Sequence, residues 1–508
     1  MTQQLTREAP RKLTNEAPRT SVADPRLTNP DLAPVDPERR TWNWWHIASL
    51  WIGMAICIPT YTLASSLVDR GWSWQAAVLS VILGNVVVLI PMVLNSHAGT
   101  KYGIPFPVLA RSAFGVLGAN VPAILRAVVA CGWFGIQTWI GGWAIFKLLE
   151  VLWPGIATLP AILPAWVGLG TGEALCFLAF WALNVWIVMR GIESIKVLET
   201  WGSPFLLAIG IALLIWAYVR AGGWTPLLTN AAVGSDGGSA GRSAVFGAGL
   251  TSAVAFWGTM ALSIPDFSRF ARSQRDQVVG QAVGLPGTMA MFAFIGAVVT
   301  NATVVIFGTR VSDPIALLAR VGGPLVVVLS MLGLSIATLT TNLAANVVAP
   351  ANDFSNIAPH RIRFKTGALI TAIIGILMMP WRLYNDAAAY IFAWLIGYGV
   401  LLGPIAGIML VDYFAIRGRE LKLDDLYRRG GEYEYRRGIN WVAMLALALG
   451  ISPNLPGFLN AIGAMKASPT FVAIYDWAWF VGLGVAAFVY RFGMSYYRPT
   501  VRVQRANV

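Results

Sequence analysis

Charge is scarce in this sequence. Of 508 residues only 12% are charged while 56% are hydrophobic, and the mean hydropathy is +0.63. A balance this apolar excludes an ordinary soluble domain and makes lipid most of the solvent. Cysteine is nearly absent as well. Cys57, Cys131 and Cys176 lie in separate apolar stretches with no CxxC or Cys/His ligand spacing, so a disulfide framework and a structural zinc are both unsupported and the three read as small packing residues. Three histidines, with no Ser/His/Asp, Cys/His or metal-hydrolase arrangement, give an enzyme little to work with. The formal charge of +13 could suggest nucleic acid, but the basic residues sit in loops between apolar spans and no nucleic-acid-binding module is present. Residues 1–40 contain no long apolar run and are rich in Pro, Thr, Arg and acids, which predicts a disordered cytoplasmic tail. They also lack the short apolar core and cleavage site of a secretory signal, so the first apolar span is expected in the mature protein.

What the sequence has in abundance is long apolar runs. A bilayer core about 30 Å thick takes roughly 20 apolar residues per helical crossing. Windows of about that length predict twelve spans, near 46–66, 74–95, 120–148, 168–189, 200–219, 246–265, 280–307, 323–349, 366–381, 388–415, 439–458 and 472–490. Stretches such as SVILGNVVVLIPMVL are apolar all round, whereas helices of a soluble bundle would carry polar stripes at a 3.6-residue period. Twelve crossings sort the cations by side. Lys101, Arg111, Arg190, Lys196, Arg269, Arg272, Arg275, Arg361, Arg363, Lys365 and the dense run from Arg417 to Arg437 share one side with both tails, including Arg491, Arg498, Arg502 and Arg505. The other side holds Arg70, Lys147, Arg220, Arg242, Arg310, Arg320, Arg382 and Lys466. A multi-pass protein of the cell (inner) membrane with cytoplasmic termini is expected.

Two spans carry helix-breaking residues in an echoing pattern. The first reads Trp51-Ile-Gly-Met-Ala-Ile-Cys-Ile-Pro59 and the sixth Trp257-Gly-Thr-Met-Ala-Leu-Ser-Ile-Pro265, with Met54 to Pro59 matching Met260 to Pro265 at four of six positions. Inverted-repeat transporters build their sites where one helix in each repeat is interrupted. Gly and Pro can free backbone carbonyls at membrane depth, which is tolerable only facing protein or a cavity. Ordinary kinks are the alternative. The repeat reading divides the chain into a tail (1–40), a first repeat of helices 1–5 (41–219), a second of helices 6–10 (220–415), a pair of extra helices after a basic loop (416–497) and a last tail (498–508).

Few Asp, Glu, Lys or His residues fall deep in a predicted span, so a buried proton relay is not evident. The deep polar groups are neutral: Gln137 in the third span, and Thr340, Thr341, Asn342 and Asn346 in the eighth. Trp133 and Gln137, four apart, share a helix face and pair an indole plane with an amide, which suits a flat heterocycle held by its face and read along its edge. An interfacial Trp belt with one interhelical amide bond is the alternative among 22 tryptophans. Ala337, Thr340 and Thr341 place one carbonyl and two hydroxyls on a single face, oxygens of the kind a hard cation takes, unless the threonines simply bond back one turn.

With IPTY at 58–61, GTKYGIPFPVLARSAFG at 99–115, CGWFGIQTWIGG at 131–142, IPDFSRFARSQRDQ at 264–277, GLPGT at 284–288, TTNLAANVVAP at 340–350 and GPIAGIMLVDYF at 403–414, the chain from Thr41 to about Tyr497 resembles the nucleobase:cation symporter family. The resemblance implies an all-α membrane protein of about twelve transmembrane helices, with the 5+5 inverted repeat of the leucine-transporter type and two C-terminal helices. It also implies a small heterocyclic substrate and a coupling cation, with no organic cofactor. By similarity to the family's hydantoin transporter, Trp133 and Trp257 flank the substrate ring, Gln137 and Asn346 bond its ureide edge, and Phe256 lines the pocket. A sodium site takes backbone oxygens of Gly53, Ile56 and Ala337 with the hydroxyls of Thr340 and Thr341. At one position the chain departs from the pattern. Where hydantoin and allantoin carriers place a Gln or Asn on the first broken helix, Cys57 stands here, as a small residue does in plant nucleobase carriers. The expected substrate is therefore uracil or a purine base, with allantoin or hydantoin as alternatives. Some relatives are driven by protons, and Asp266 or Glu173 near span ends could carry them here.

Overall fold

The computed structural model describes residues 23–190, 192–229, 239–321, 323–384 and 389–497, without side chains over 192–205 and 239–245. Residues 1–22, the last tail with Arg498, Arg502 and Arg505, and the side chains of Lys196 and Arg242 lie outside the described residues. The molecule is helical throughout, with two isolated bridges, Trp42 to Ala271 and Arg436 to Ile439, as its strand-like pairings among the described residues.

The first span is a broken helix. Its first half, α1 (Trp44–Ala55), starts at Asn43, whose side chain accepts the Trp45 and His46 N–H groups, satisfying donors that a helix start leaves open. Cys57 is extended, and α2 (Ile58–Asp69) restarts with Pro59 in its first turn, where the missing N–H costs no bond. The two halves bend by 54°. There follow α3 (Trp74–Tyr102), the short α4 (Phe106–Phe114), α5 (Asn120–Leu152), α6 (Thr171–Arg190), α7 (Ile192–Ala221) and α8 (Trp224–Leu228). The sixth span is again divided, into α9 (Ser239–Phe256), α10 (Gly258–Ser263) and α11 (Pro265–Ser268). Next come α12 (Gln274–Phe307), α13 (Pro314–Val321), α14 (Pro324–Asn346), α15 (Val348–Ile357), α16 (Phe364–Leu377) and α17 (Pro380–Leu383). A π-helical turn over Ala389–Leu395 leads into α18 (Ile396–Leu410), and α19 (Trp441–Ile451), α20 (Leu455–Ala461), α21 (Pro469–Asp476) and α22 (Ala478–Tyr496) complete the chain.

Among the described residues, eight helices are long and apolar enough to cross a bilayer, or nine with α1 and α2 taken as one bent span. Three shorter apolar helices, Leu206–Ala221, Phe246–Phe256 and Phe364–Leu377, fall where the fifth, sixth and ninth spans were expected. Length and composition thus carry nine of the twelve expected crossings by themselves. The last span differs from its expected range of 472–490: the helix breaks at Trp477 and then runs to Tyr496. Arg491 ends the apolar window but not the helix, because Tyr490 on the buried face bonds Asp412 Oδ1 at 2.8 Å.

Two packed groups frame the site. One has α12 lying along α1, α2 and α3; in the other α5 lies along α14, α15 and α16. Small residues set the closeness of the first group. A Cβ on Gly284 would sit 2.6 Å from the Ala48 carbonyl oxygen, and one on Gly280 2.6 Å from that of Trp44, so glycine four residues apart lets α1 lie backbone-close against α12.

Residues 23–40 correct the expectation of a wholly solvated tail. Leu27 and Leu32 are buried. Asn29 donates to Ser355 Oγ at 2.7 Å, Tyr427 donates to the Leu32 carbonyl at 2.8 Å, and Arg269 to that of Asp31 at 2.9 Å. Composition hid this because two leucines and a set of main-chain acceptors, rather than an apolar run, fasten the segment down. The basic loop between α18 and α19 is tied internally: Arg417 pairs with Asp412 at 2.8 Å and Glu432 at 2.6 Å. A hydrogen bond that Lys422 donates to Glu432 holds it above the ordinary lysine range.

Candidate functional site

The breaks in the first and sixth spans face a common cavity. Met54 and Cys57 line it from the first span; Phe256, Trp257, Thr259 and Met260 from the sixth; Trp133 and Gln137 from α5; and Thr341, Ala345 and Asn346 from α14. All six residues expected to touch a solute are therefore gathered round one space. About 30 Å³ of it is open to the centre of a water molecule, room for a few waters, so admitting a ring requires side chains to part.

The sixth span breaks at Trp257 (φ −99°, ψ 11°), immediately before Gly258. In the first span the break falls at Ile56 and Cys57, so the echoing motifs are interrupted at different registers. One result is that Phe256 and Trp257 both enter the pocket, ring centroids 5.0 Å apart at 72°. Phe256 lies edge-on to Trp133 at 5.2 Å, and Trp51 backs Trp257 at 5.1 Å. The two pocket tryptophans do not meet as a parallel pair; Phe256 stands between them. Three aromatics after α17 that sequence reasoning did not single out, Tyr390, Trp394 and Tyr398, pack edge-on against Trp133 at 6.3, 6.1 and 6.4 Å. Their signal is the run AYIFAWLIGY at 389–398, and Gly132 makes the room, since a Cβ there would strike Trp394 at 2.1 Å.

The polar groups are arranged unequally. Gln137 is buried, and its Oε1 has no hydrogen-bond partner among the described residues, a state that costs free energy unless something bonds it. Asn346 by contrast donates through Nδ2 to Asn342 Oδ1 at 3.0 Å. Cys57 is buried and its Sγ lies 3.3 Å from Thr60 Oγ1. Of the residues expected at a sodium site, Thr340 and Thr341 both donate to the Ala337 carbonyl, at 2.7 and 3.1 Å. This is the back-bonding anticipated as the alternative, but it commits only the hydroxyl hydrogens and leaves oxygen lone pairs. The Thr60 N–H turns to Cys57 O at 3.1 Å instead of reaching Ile56, and α1 touches α14. Neutral hydroxyl and carbonyl oxygens are of the kind a hard cation takes. Among the described residues no group of three His, Cys, Asp or Glu side chains could hold a metal.

A second, larger cavity of about 500 Å³ lies beyond Tyr390. Its walls include Trp139, Trp143, Trp381 and Tyr384, and Glu173 stands there rather than in the inner pocket, its Oε2 accepting from the Gly170 N–H at 2.9 Å. Tyr390 donates to the Pro59 carbonyl at 3.1 Å and Tyr384 to Thr62 Oγ1, so two tyrosines fasten this chain segment to α2 between the cavities.

Charges do lie buried in the protein, near the span ends rather than deep within the predicted spans. Arg126 Nη1 pairs with Asp353 Oδ2 at 3.0 Å, both side chains fully buried, and Arg126 Nη2 donates to Ser263 Oγ at 2.8 Å. Asp266 is buried and accepts the Phe106 N–H at 3.0 Å. A signal existed in the spacing. Arg126 stands seven residues before Trp133 and Asp353 seven after Asn346, so each is about two turns along from a pocket residue.

Long apolar helices, two of them broken around an aromatic, amide-lined pocket, define a multi-span membrane carrier. More particularly, the chain belongs to the family of permeases for cytosine/purines, uracil, thiamine and allantoin, whose model matches residues 34–482. That is a family of transporters, not enzymes. A purine-uracil permease of Arabidopsis thaliana is 48% identical over 94% of this chain and 79% of its own length. An allantoin permease of Bacillus subtilis is 40% identical over 93% of this chain and 94% of its own. Among solved structures, that of Mhp1, a nucleobase-cation-symport-1 family transporter in a closed conformation with bromovinylhydantoin bound, superposes with a TM-score of 0.74 at 26% identity, covering 92% of this chain and 96% of its own. The fold is that all-helical, leucine-transporter-type architecture.

Proposed function

We propose that the protein imports a nucleobase, uracil or a purine base, or a related cyclic ureide, by symport with Na⁺ in an alternating-access cycle. The observation that carries this reading is the pocket between the two breaks, where the rings of Trp133, Phe256 and Trp257 stand beside the Gln137 and Asn346 amides. Flat faces suit a planar ring and the amides suit its C=O and N–H edge. Cys57 in place of a hydrogen-bonding side chain favours a nucleobase over allantoin or hydantoin, in keeping with the 48% identity to a purine-uracil permease. Gly53, Ile56, Ala337, Thr340 and Thr341 are assigned to Na⁺ as neutral oxygen donors. With the basic loops on the cytoplasmic side, both termini are cytoplasmic and the larger cavity opens outward, so solute enters past Tyr384 and Tyr390. The division into two five-helix repeats followed by two helices goes with this cycle.

Proton coupling is the second reading, favoured by the buried Asp266 and the buried Arg126–Asp353 pair. Purified protein in vesicles decides between them. Labelled uracil, purine bases, allantoin and hydantoin are offered with Na⁺ or choline outside, with and without a protonophore. Accumulation of uracil or a purine base that needs Na⁺ is the expected result. Accumulation of none of the four overturns the solute class; uptake indifferent to Na⁺ but abolished by the protonophore overturns the coupling ion.

A further inference from the structure

Asn346 has a side chain whose direction is set from outside the pocket. In the first link of the chain that sets it, Asn184 Nδ2 on α6 donates to the Phe180 carbonyl at 2.8 Å. A carbonyl can only accept, so nitrogen must stand at that end and the Asn184 oxygen must face the other way. It faces Asn342 Nδ2, 3.1 Å away. That nitrogen also points at the Phe134 carbonyl, 3.3 Å, and at Thr138 Oγ1, 3.1 Å. The hydroxyl hydrogen of Thr138 is itself committed to Phe134 O at 2.7 Å, so Thr138 offers Asn342 a lone pair. The two N–H groups of Asn342, shared among these three acceptors, therefore hold it with nitrogen outward and oxygen toward Asn346, which answers with Nδ2 at 3.0 Å. Asn184, Asn342 and Thr138 are fully buried, so turning the Asn346 amide over would set two carbonyl oxygens against each other away from water.

We propose that Asn342 is a positioning residue for substrate selection: anchored through Asn184, Thr138 and two main-chain carbonyls, it locks the Asn346 amide with Oδ1 toward the pocket. Resting on the proposed nucleobase or ureide substrate, this deepens it. Gln137 Oε1 has no hydrogen-bond partner among the described residues, so one amide of the reading pair is locked and the other is held by no such chain. The locked oxygen demands an N–H on the solute edge that meets α14, whereas Gln137 can turn to suit either a donor or an acceptor. A ring methylated at the nitrogen that meets Asn346 loses this donor and is refused; methylation elsewhere on the edge is met by Gln137 and tolerated better.

The chain could instead be plain interhelical glue, as buried amides in membrane bundles often are, and the test separates the two. Binding of uracil, xanthine, allantoin and hydantoin, and of singly N-methylated forms of whichever binds, is measured by thermal shift on wild type, Asn342→Leu, Asn346→Ala and the double variant. Wild type is expected to refuse one methyl isomer at least tenfold more than another. In Asn342→Leu that ratio falls at least fivefold while the parent ring still binds, and in the Asn346→Ala background Asn342→Leu adds nothing. If Asn342→Leu does not fold, Asn184→Leu, which removes one acceptor of the chain, must lower the ratio in the same direction. An unchanged ratio with all affinities weakened equally, or full additivity in the double variant, overturns the positioning role and leaves the transport reading intact. Failure of wild type to bind any of the four rings removes the solute class, and this inference with it.

Discussion

The Arg126–Asp353 pair makes a prediction with a sign that ordinary intuition gets wrong. The ions are 3.0 Å apart and neither side chain reaches solvent, so their attraction at an effective dielectric of about 20 is roughly 5 kcal/mol. Removing both from water costs a similar amount, which makes the net worth of the pair small. Deleting one partner is different. Arg126→Leu leaves the Asp353 carboxylate buried with no cation in contact, strands Ser263 without its 2.8 Å donor, and should cost about 3–5 kcal/mol. Replacing both ions, Arg126→Leu with Asp353→Leu, should recover most of that loss, because neither member of the pair is left uncompensated and the buried Asp266 keeps Arg269 as a neighbouring cation. The assay is the apparent melting temperature in detergent, with the surviving fraction of correctly assembled protein as a second readout. Wild type and the double variant are expected to lie close together and Arg126→Leu well below both. If the double variant melts as low as Arg126→Leu, the loss comes from packing or from the Ser263 bond, and the charge argument fails.

Gly284→Ala places a Cβ 2.6 Å from the Ala48 carbonyl oxygen and should push α1 off α12 at a cost of about 1–3 kcal/mol, weakening solute binding; Gly287→Ala, with nothing within 4 Å of its Cβ, is the control and should be neutral or slightly stabilising. Asn346→Ala and Gln137→Ala should each weaken solute binding by about 1–3 kcal/mol, on the order of 5- to 150-fold, as buried polar partners left unpaired do; near-unchanged affinity in both variants removes the edge-reading role. Thr341→Ala should raise the Na⁺ concentration needed for half-maximal uptake more than it alters the order of preferred solutes, and the reverse outcome misplaces the cation.

The parts of this protein that a sequence displays are those set by periodicity and by local backbone chemistry. Lipid as solvent shows in the all-round apolar helices, and the first break shows in Gly53 and Pro59 on either side of Cys57. The face shared by Trp133 and Gln137 follows from a spacing of four. What stays hidden is whatever depends on pairing across the fold. Arg126 is the seventh residue of a predicted span, and Asp353 falls just after another, at 323–349; each reads as a charge emerging at an interface. In three dimensions α15 continues to Ile357 and the two ions consume each other's charge. Residues 23–40 mislead for a related reason, since what buries Leu32 is the Tyr427 loop 395 residues away. The tyrosines fastened to α2 are equally non-local, and a Tyr in a hydrophobic run announces nothing about which carbonyl it will find.

The layout of neutral and charged groups also bears on how the cycle could be tied together. α10 is six residues long; its near end carries Thr259 and Met260 on the pocket wall, and its last residue, Ser263, takes the Arg126 hydrogen bond. Arg126 in turn shares α5 with Trp133 and Gln137, and Asp353 follows Asn346 across the junction of α14 and α15. A solute that parts Trp133 from the sixth span therefore pulls on a short rigid piece whose other end is held by a buried cation. Soft contacts would absorb such a displacement cheaply, whereas drawing buried ions apart costs more with every step unless water follows, because each charge is left less compensated. The pocket and the buried ion pair are thus joined through α5 and α10, and because Asn346 bonds Asn342 rather than either ion, a change of amide leaves the charged contact in place.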